Sequence, residues 1–473
     1  MSRAQGRRVA GRPPHQEATA QGRPGPRAGA LLAVLVVGLT VAALVAAGAV
    51  GRAAGTRPAV SSRPDVGERS FVCTGGLPGT RAVAGTAGSR GSLTVDGRSR
   101  QAATFAVPRP LHVLADPESA ADAYAAEGAA TARWLAAAAC PEPRPGWWFV
   151  GAGATDGHDT VLTVANPRPG SAIFDVDVFG PHGLVDAPGL HGLTLASGRT
   201  RTLDLARVAP ATGDLAVRVR TSRGLVSVGA AESWSPALIG KQVREWVAPQ
   251  PAPSREVNLT GLSGGGSSSL VVANPGEREA VVHLRLVGKN GTYQPTSHAS
   301  VTISPGEVSD VDVSDVVRPG TAAILLEANV PVVATLRSVH GNDEAYAAAT
   351  GTLRGTAVVG VPPVGRAGIV LVSVPPTQGA SPGRQARQPA RGARAELRIL
   401  GKGGRQLGSR TAAVPASGSA TVPLRRGTRA VAVSASGGDV VATVVLRSGP
   451  GIATLPVASS LTQQRRPGVL PAW

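Results

Sequence analysis

Apolar and polar positions alternate in short runs along most of the chain. Val282, Leu284 and Leu286 alternate with Val281, His283 and Arg285, and Val311 and Val313 alternate with Asp310 and Asp312. A period of two belongs to a strand with one face buried and the other partly wet. Turn signals such as Asn274-Pro275-Gly276, Gly288 to Gly291 and Ser304-Pro305-Gly306 end these runs. The pattern also repeats. Val164-Ala165-Asn166-Pro167 returns as Val272-Ala273-Asn274-Pro275, and Gly180-Pro181-His182-Gly183 as Gly288-Lys289-Asn290-Gly291. Gly198, Asp204 and Val208 match Gly306, Asp312 and Val316 at the same offset of 108 residues. Five landmarks in one register imply duplicated architecture. A degenerate third copy carries Gly401-Lys402-Gly403-Gly404, a turn over Pro415 to Gly418 and a strand over Ala442 to Leu446. The segment Gln378 to Ala390 interrupts it and reads as an exposed loop.

These strands predict a mainly β chain of tandem antiparallel β-sandwich-like domains: repeat 1 over 146–250, repeat 2 over 257–345, repeat 3 over 366–455, then a tail, 456–473. A propeller is the competing architecture, but the 108-residue period is far longer than a blade of about 40–50 residues. The recurring Asn-Pro reads as a strand stop, because Asn bonds its own backbone and Pro fixes φ.

Two stretches break the strand pattern. Ala30 to Val50 is 21 residues without a charge, long enough as a helix to cross the hydrocarbon of a bilayer. Basic residues precede it, so 1–29 reads as a disordered cytoplasmic tail, 30–50 as a transmembrane helix and 51–70 as an extracytoplasmic linker. Ala47-Gly48-Ala49 has the small-x-small form of a cleavage site, so secretion after cleavage near Ala49 is the alternative. The second stretch, Ala120 to Ala139, is alanine-rich and follows Asp116-Pro117-Glu118. A cap residue, a proline in the first turn and an acid near the positive end predict a helix over 117–139. It lies within a segment, 71–145, bounded by the only cysteines, Cys73 and Cys140. These predict a disulfide outside the bilayer, against two free thiols.

Composition changes the picture in one respect. The net charge of +18 is uneven: 1–29 holds six Arg against Glu17, and 366–473 holds fourteen Arg and Lys402 against Glu396 and Asp439. The residues between are balanced. Arg throughout a chain rich in Ala, Gly and Pro fits a compositional bias, yet the C-terminal excess also suits an anionic surface.

Candidate chemistry is sparse. Asp156, His158 and Asp159 form the densest group of potential ligands, and Trp147-Trp148-Phe149 stands out among only 14 aromatic residues (Phe 5, Tyr 3, Trp 6). Asp310, Asp312 and Asp315 offer oxygen ligands at strand spacing. A turn or a packed strand accounts for each of these groups. The glycine run Gly261 to Ser269 lacks the Lys-Ser/Thr of a phosphate loop, and no nucleophile-elbow or zincin motif occurs. No catalytic residue, metal or cofactor is predicted.

The Arg-rich start before an anchor, Phe71-Val72-Cys73, Ala139-Cys140-Pro141 and the Val-Ala-Asn-Pro strand ends together resemble a group of actinobacterial exported proteins defined only as a domain of unknown function (DUF5719). The resemblance implies an envelope location and no reaction. The expectation is therefore a membrane-anchored, extracytoplasmic, non-enzymatic structural or interaction protein of the bacterial cell envelope. Its partners would be the membrane through 30–50 and wall polymer or other envelope proteins, but no nucleic acid. A binding module for wall glycan or anionic polymer, and a secreted enzyme using Asp156, His158 or Asp159, are the alternatives.

Overall fold

A computed structural model describes residues 68–88, 92–235, 242–262, 266–341, 343–375 and 390–459. Strands account for almost all regular structure there. The α-helix content is the four-residue turn Leu205–Val208, beside short 3-10 turns such as Ala120–Asp122.

Four β units follow one another. The first has two four-stranded sheets, from Arg69–Cys73 to Leu135–Ala139. The second is a nine-stranded sheet from Gly146–Thr155 to Val243–Trp246, and the third an eight-stranded sheet from Ser254–Thr260 to Asp343–Ala348. The fourth again has two four-stranded sheets, from Ala357–Gly360 to Gly451–Pro456. Each unit has its own apolar core, exemplified by Phe71 and Leu93, Phe149 and Phe174, Leu259 and Leu284, and Leu371 and Leu397.

Further apolar clusters join the units in a cycle. Leu77, Trp134 and Ala136 of the first pack on Val243 and Trp246 of the second. Trp148 and Phe179 of the second meet Val271 and Val333 of the third. Val287 and Ala323 of the third meet Val372 and Val441 of the fourth. Leu400 and Ala432 of the fourth return to Val83 and Tyr124 of the first. The units are thus four blades of a propeller-like ring. This overturns the expectation of tandem β-sandwich domains. The 108-residue period is the length of a blade here, because the second, third and fourth blades each use about a hundred residues rather than one four-stranded sheet. Faces that tandem domains would leave wet are buried against the neighbouring blade.

The last strand of every blade lies inward: Leu135–Ala139, Val243–Trp246, Asp343–Ala348 and Gly451–Pro456. Each is flanked by the inner strands of the two adjacent blades.

The alanine-rich helix over 117–139 is also overturned. Ser119 N donates to Asp116 O at 2.8 Å in a short turn. Ala123–Ala130 and Leu135–Ala139 then pair as an antiparallel hairpin. Thr131 Oγ1 accepts from Arg133 N at 3.1 Å and Trp134 N at 3.3 Å, which shapes the turn. Alanine is the best helix former, but local preference yields to packing. The first strand is buried along seven of its eight residues, so its run is apolar without a helical stripe. Small side chains also let the blades approach closely. A Cβ on Gly128 would stand 2.9 Å from Pro362, and one on Gly360 would stand 2.9 Å from Ala126.

Cys73 and Cys140 form a disulfide across 67 residues, tying the first strand of the first blade to the end of its last. The Asn-Pro sites are structural. Asn166 is buried, and its Nδ2 donates to Leu195 O at 3.0 Å and Gly170 O at 2.8 Å. Asn274, 108 residues on, donates to Ile303 O at 3.2 Å and Arg278 O at 2.7 Å, the equivalent carbonyls. The predicted span 30–50 lies outside the described residues. Among the described residues no helix is long and apolar enough to cross a membrane.

Candidate functional site

The inner strands meet around carboxylates. Asp343 Oδ2 accepts from Leu135 N at 3.2 Å and from Ile452 N at 2.8 Å, so one side chain of the third blade holds the first and the fourth. Glu245 Oε1 accepts from Ala137 N at 3.1 Å, tying the second blade to the first. Glu127 accepts from Thr74 N at 2.9 Å and Gly75 N at 2.8 Å, and Gly75 O in turn accepts from Trp246 Nε1 at 3.0 Å. These acids take the place of a ladder between strands that belong to different sheets. All three are buried, and Glu245 Oε2 and Asp343 Oδ1 have no partner.

A second polar cluster lies between the second and third blades. Arg337 grips both oxygens of Asp214, with Nη2 at 2.9 Å from Oδ2 and Nη1 on Oδ1, and Nη2 lies 3.4 Å from Asp310 Oδ2. His158 Nε2 bonds Glu232 Oε1, and its Nδ1 lies 3.8 Å from Asp214 Oδ1. Tyr346 Oη sits 3.2 Å from Gly151 O and 3.3 Å from Glu344 Oε1. Gly151 is required here: its φ is +88°, and a Cβ would stand 2.9 Å from the Tyr346 ring. Burial works against the charge on His158, but the Glu232 bond and the nearby Glu232 and Asp214 carboxylates outweigh it and raise its pKa. Burial, then Asp214, pushes the Asp310 carboxyl up to about 6. Glu232 Oε2 and Glu344 Oε2 are buried without a partner, and the bonds the cluster does make clamp two blades together.

The residues singled out in the sequence are dispersed by the fold. Asp156 is exposed in the hairpin turn before His158–Ala165. His158 turns into the clamp, while Asp159 Oδ1 accepts from Ala206 N at 3.2 Å. Trp147 is buried and donates through Nε1 to Val226 O at 2.9 Å; Trp148 stacks on Phe179 at the blade interface. Asp312 and Asp315 are engaged with Ser314 and Ser297. Among the described residues no three His, Cys, Asp or Glu side chains are arranged to hold a metal. Asp214, Glu232, Glu245, Arg337, Asp343 and Glu344 went unread. For the acids the signal was a carboxylate within an apolar strand, as in Val243-Arg244-Glu245-Trp246.

The buried acids make stability depend on pH. Burial pushes Glu127 and Asp343 up to about 7 and raises Glu245 and Glu344 well above the usual carboxylate range. A raised folded pKa means that the native state binds more protons than the unfolded chain. The associated stability is fully present below the unfolded pKa and is lost as pH rises through about 7. One pKa unit corresponds to about 1.4 kcal/mol. Urea denaturation is therefore expected to give a higher unfolding free energy at pH 5 than at pH 8. The reverse order would mean that backbone donors keep these groups ionised.

Two concave features remain. At one end of the inner strands, all four blades line a cavity of about 200 Å³. Its wall includes Ala123, Ala137, Val359 and Leu455, with Arg69 and Arg144 among its polar groups. On the fourth blade, a groove of about 650 Å³ carries Arg366, Arg425, Arg426, Arg429 and Arg447 and is lined by no acid.

A model for a family of unknown function, DUF5719, matches residues 94–425. The chain belongs to this family. The resemblance noted at the Cys and Asn-Pro motifs is thereby borne out. No curated protein and no solved structure matches the chain significantly. The DUF5719 match holds the clasp residues Glu127, Glu245 and Asp343 and the Arg337 clamp, and it ends within the fourth blade. The chain is accordingly a largely β-structured member of a family without an assigned reaction.

Proposed function

We propose that the chain is an exported, non-enzymatic binding module of the cell envelope that engages an anionic polymer through its fourth blade. The arginine groove carries this reading. Arg366, Arg425, Arg426 and Arg447 are exposed, and none of the groove's five guanidinium groups forms an ion pair among the described residues. Arg425 Nη1 donates to Leu407 O at 2.8 Å and Arg429 Nη1 to Thr428 O at 2.9 Å, which fixes both side chains at the rim. Guanidinium groups pair with phosphate or carboxylate in a forked geometry, and several in one groove suit a repeating anion. The disulfide supports an oxidising compartment. The apolar run 30–50 supports a membrane anchor, with release near Ala49 as the alternative. Trp147 and Trp148 are packed inside and offer no exposed face for sugar stacking.

Long-chain polyphosphate serves as the probe, with neutral dextran as the control. Binding to polyphosphate alone is expected, falling about tenfold or more between low and high salt as the Debye length shrinks. Replacing Arg366, Arg426 and Arg447 together with Gln is expected to abolish it without changing the thermal midpoint. Binding that ignores salt or the triple variant would overturn the proposal. So would binding only to vesicles of anionic lipid.

A further inference from the structure

The axial cavity has a polar anchor of its own, separate from the arginine groove. Most polar groups in its wall are already spent. Arg69 Nη1 donates to Ala123 O at 2.7 Å, and its Nη2 donates to Glu142 Oε1 at 2.7 Å. Gln250 Oε1 accepts from Ala349 N at 3.0 Å, and Thr350 Oγ1 donates to Ala348 O at 3.1 Å. Arg144 differs. Arg69 Nε and Tyr124 Oη are buried without a partner in this wall, but Arg69 is held through both Nη atoms, whereas the Arg144 side chain makes no hydrogen bond to the described residues and its Nε too is buried without a partner. Its guanidinium stands 5.2 Å over the Trp147 ring. Its backbone is pinned, because Arg144 N donates to Val226 O at 2.9 Å and Val226 N to Arg144 O at 3.2 Å.

A buried donor left unpaired costs roughly 1–3 kcal/mol, more when charged, so native proteins rarely keep one without a use. Two Arg face one acid, Glu142, in the wall, so the cavity favours an anion. Alanines, Val359, Leu455 and Trp147 supply much of the apolar surface. A volume of about 200 Å³ is below the range of about 300–1,000 Å³ usual for drug-sized ligands. We infer that this cavity binds a short-chain carboxylate, with the carboxylate on Arg144 and the apolar body against the alanine-lined wall.

Calorimetry on the purified protein with hexanoate, hexanol and hexylamine tests this. Hexanoate is expected to bind about tenfold or more tightly than either analogue, the margin of a charge-assisted pair. Arg144→Gln is expected to remove that margin and leave hexanol unchanged. Ala139 lines the cavity at an exposed position. Ala139→Leu is therefore expected to weaken hexanoate by obstruction while the fold is retained, which keeps the test decisive if Arg144→Gln misfolds. Equal binding of hexanoate and hexanol, hexanoate binding insensitive to both variants, or no binding of hexanoate would overturn the inference.

Discussion

Asp343→Ala is expected to destabilise the ring by about 2–6 kcal/mol, since it strands two buried N–H groups at roughly 1–3 kcal/mol each. Those groups belong to Leu135 and Ile452, on the inner strands of the first and fourth blades. Neither has a neighbouring strand to turn to at that point, because the carboxylate occupies the gap. Asp343→Asn is the informative companion. It keeps one oxygen for both donors and places an amide where Oδ1 has no partner. At pH 5, where Asp343 is protonated, Asn is expected to cost far less than Ala. At pH 8 it is expected to flatten the fall in stability, because a group raised to about 7 no longer titrates. Urea denaturation at both pH values reads all four numbers. Equal losses for Ala and Asn at pH 5 would show that an oxygen at this position does not hold the two N–H groups, which would overturn the assigned role of Asp343.

The same residue explains what was readable in the chain and what was not. The strands and turns of the second and third blades were legible, because alternation at Val282, Leu284 and Leu286 has a single physical source, a half-buried sheet. The Asn-Pro stops were legible for the same reason, since Asn166 and Asn274 act on backbone close in sequence or at a fixed 108-residue register. Ring closure was not legible. It depends on contacts between Leu400 and Val83, or Asp343 and Leu135, whose separations carry no period. The alanine run of the first blade misled because Ala favours a helix locally, whereas close approach of Ala126 to Gly360 needs small residues in any conformation. The candidate sites failed differently. His158 was found as a titratable residue, but its partners Glu232 and Asp214 are 74 and 56 positions away, and their pairing exists only in the fold. The arginine groove was foreshadowed by the charge excess after residue 366, though composition alone could not gather Arg366 and Arg447 beside Arg426.

Loss of the disulfide is expected to be the other large perturbation. Closing a loop of 67 residues contributes about 4 kcal/mol in the chain-entropy model, by restricting the unfolded chain. A Cys73→Ala, Cys140→Ala protein is therefore expected to unfold at much lower urea concentration, and dithiothreitol is expected to reproduce the shift in the parent. A local effect should accompany the global one. Cys140 lies beside Pro141 and Glu142 in the cavity wall, where Val72 N donates to Pro141 O at 2.9 Å and Arg69 pairs with Glu142 at 2.7 Å. If those bonds hold the wall alone, the folded double variant keeps its hexanoate affinity, and the disulfide serves stability only. If affinity falls about tenfold while the protein remains folded, the covalent link also positions the site, because pre-organisation lowers the cost of binding. An unchanged urea midpoint would refute the stabilising role, whichever way the affinity moves. A bond of this kind persists in an oxidising compartment and is lost in a reducing one. The size of the shift therefore measures how strongly the fold depends on an oxidising environment.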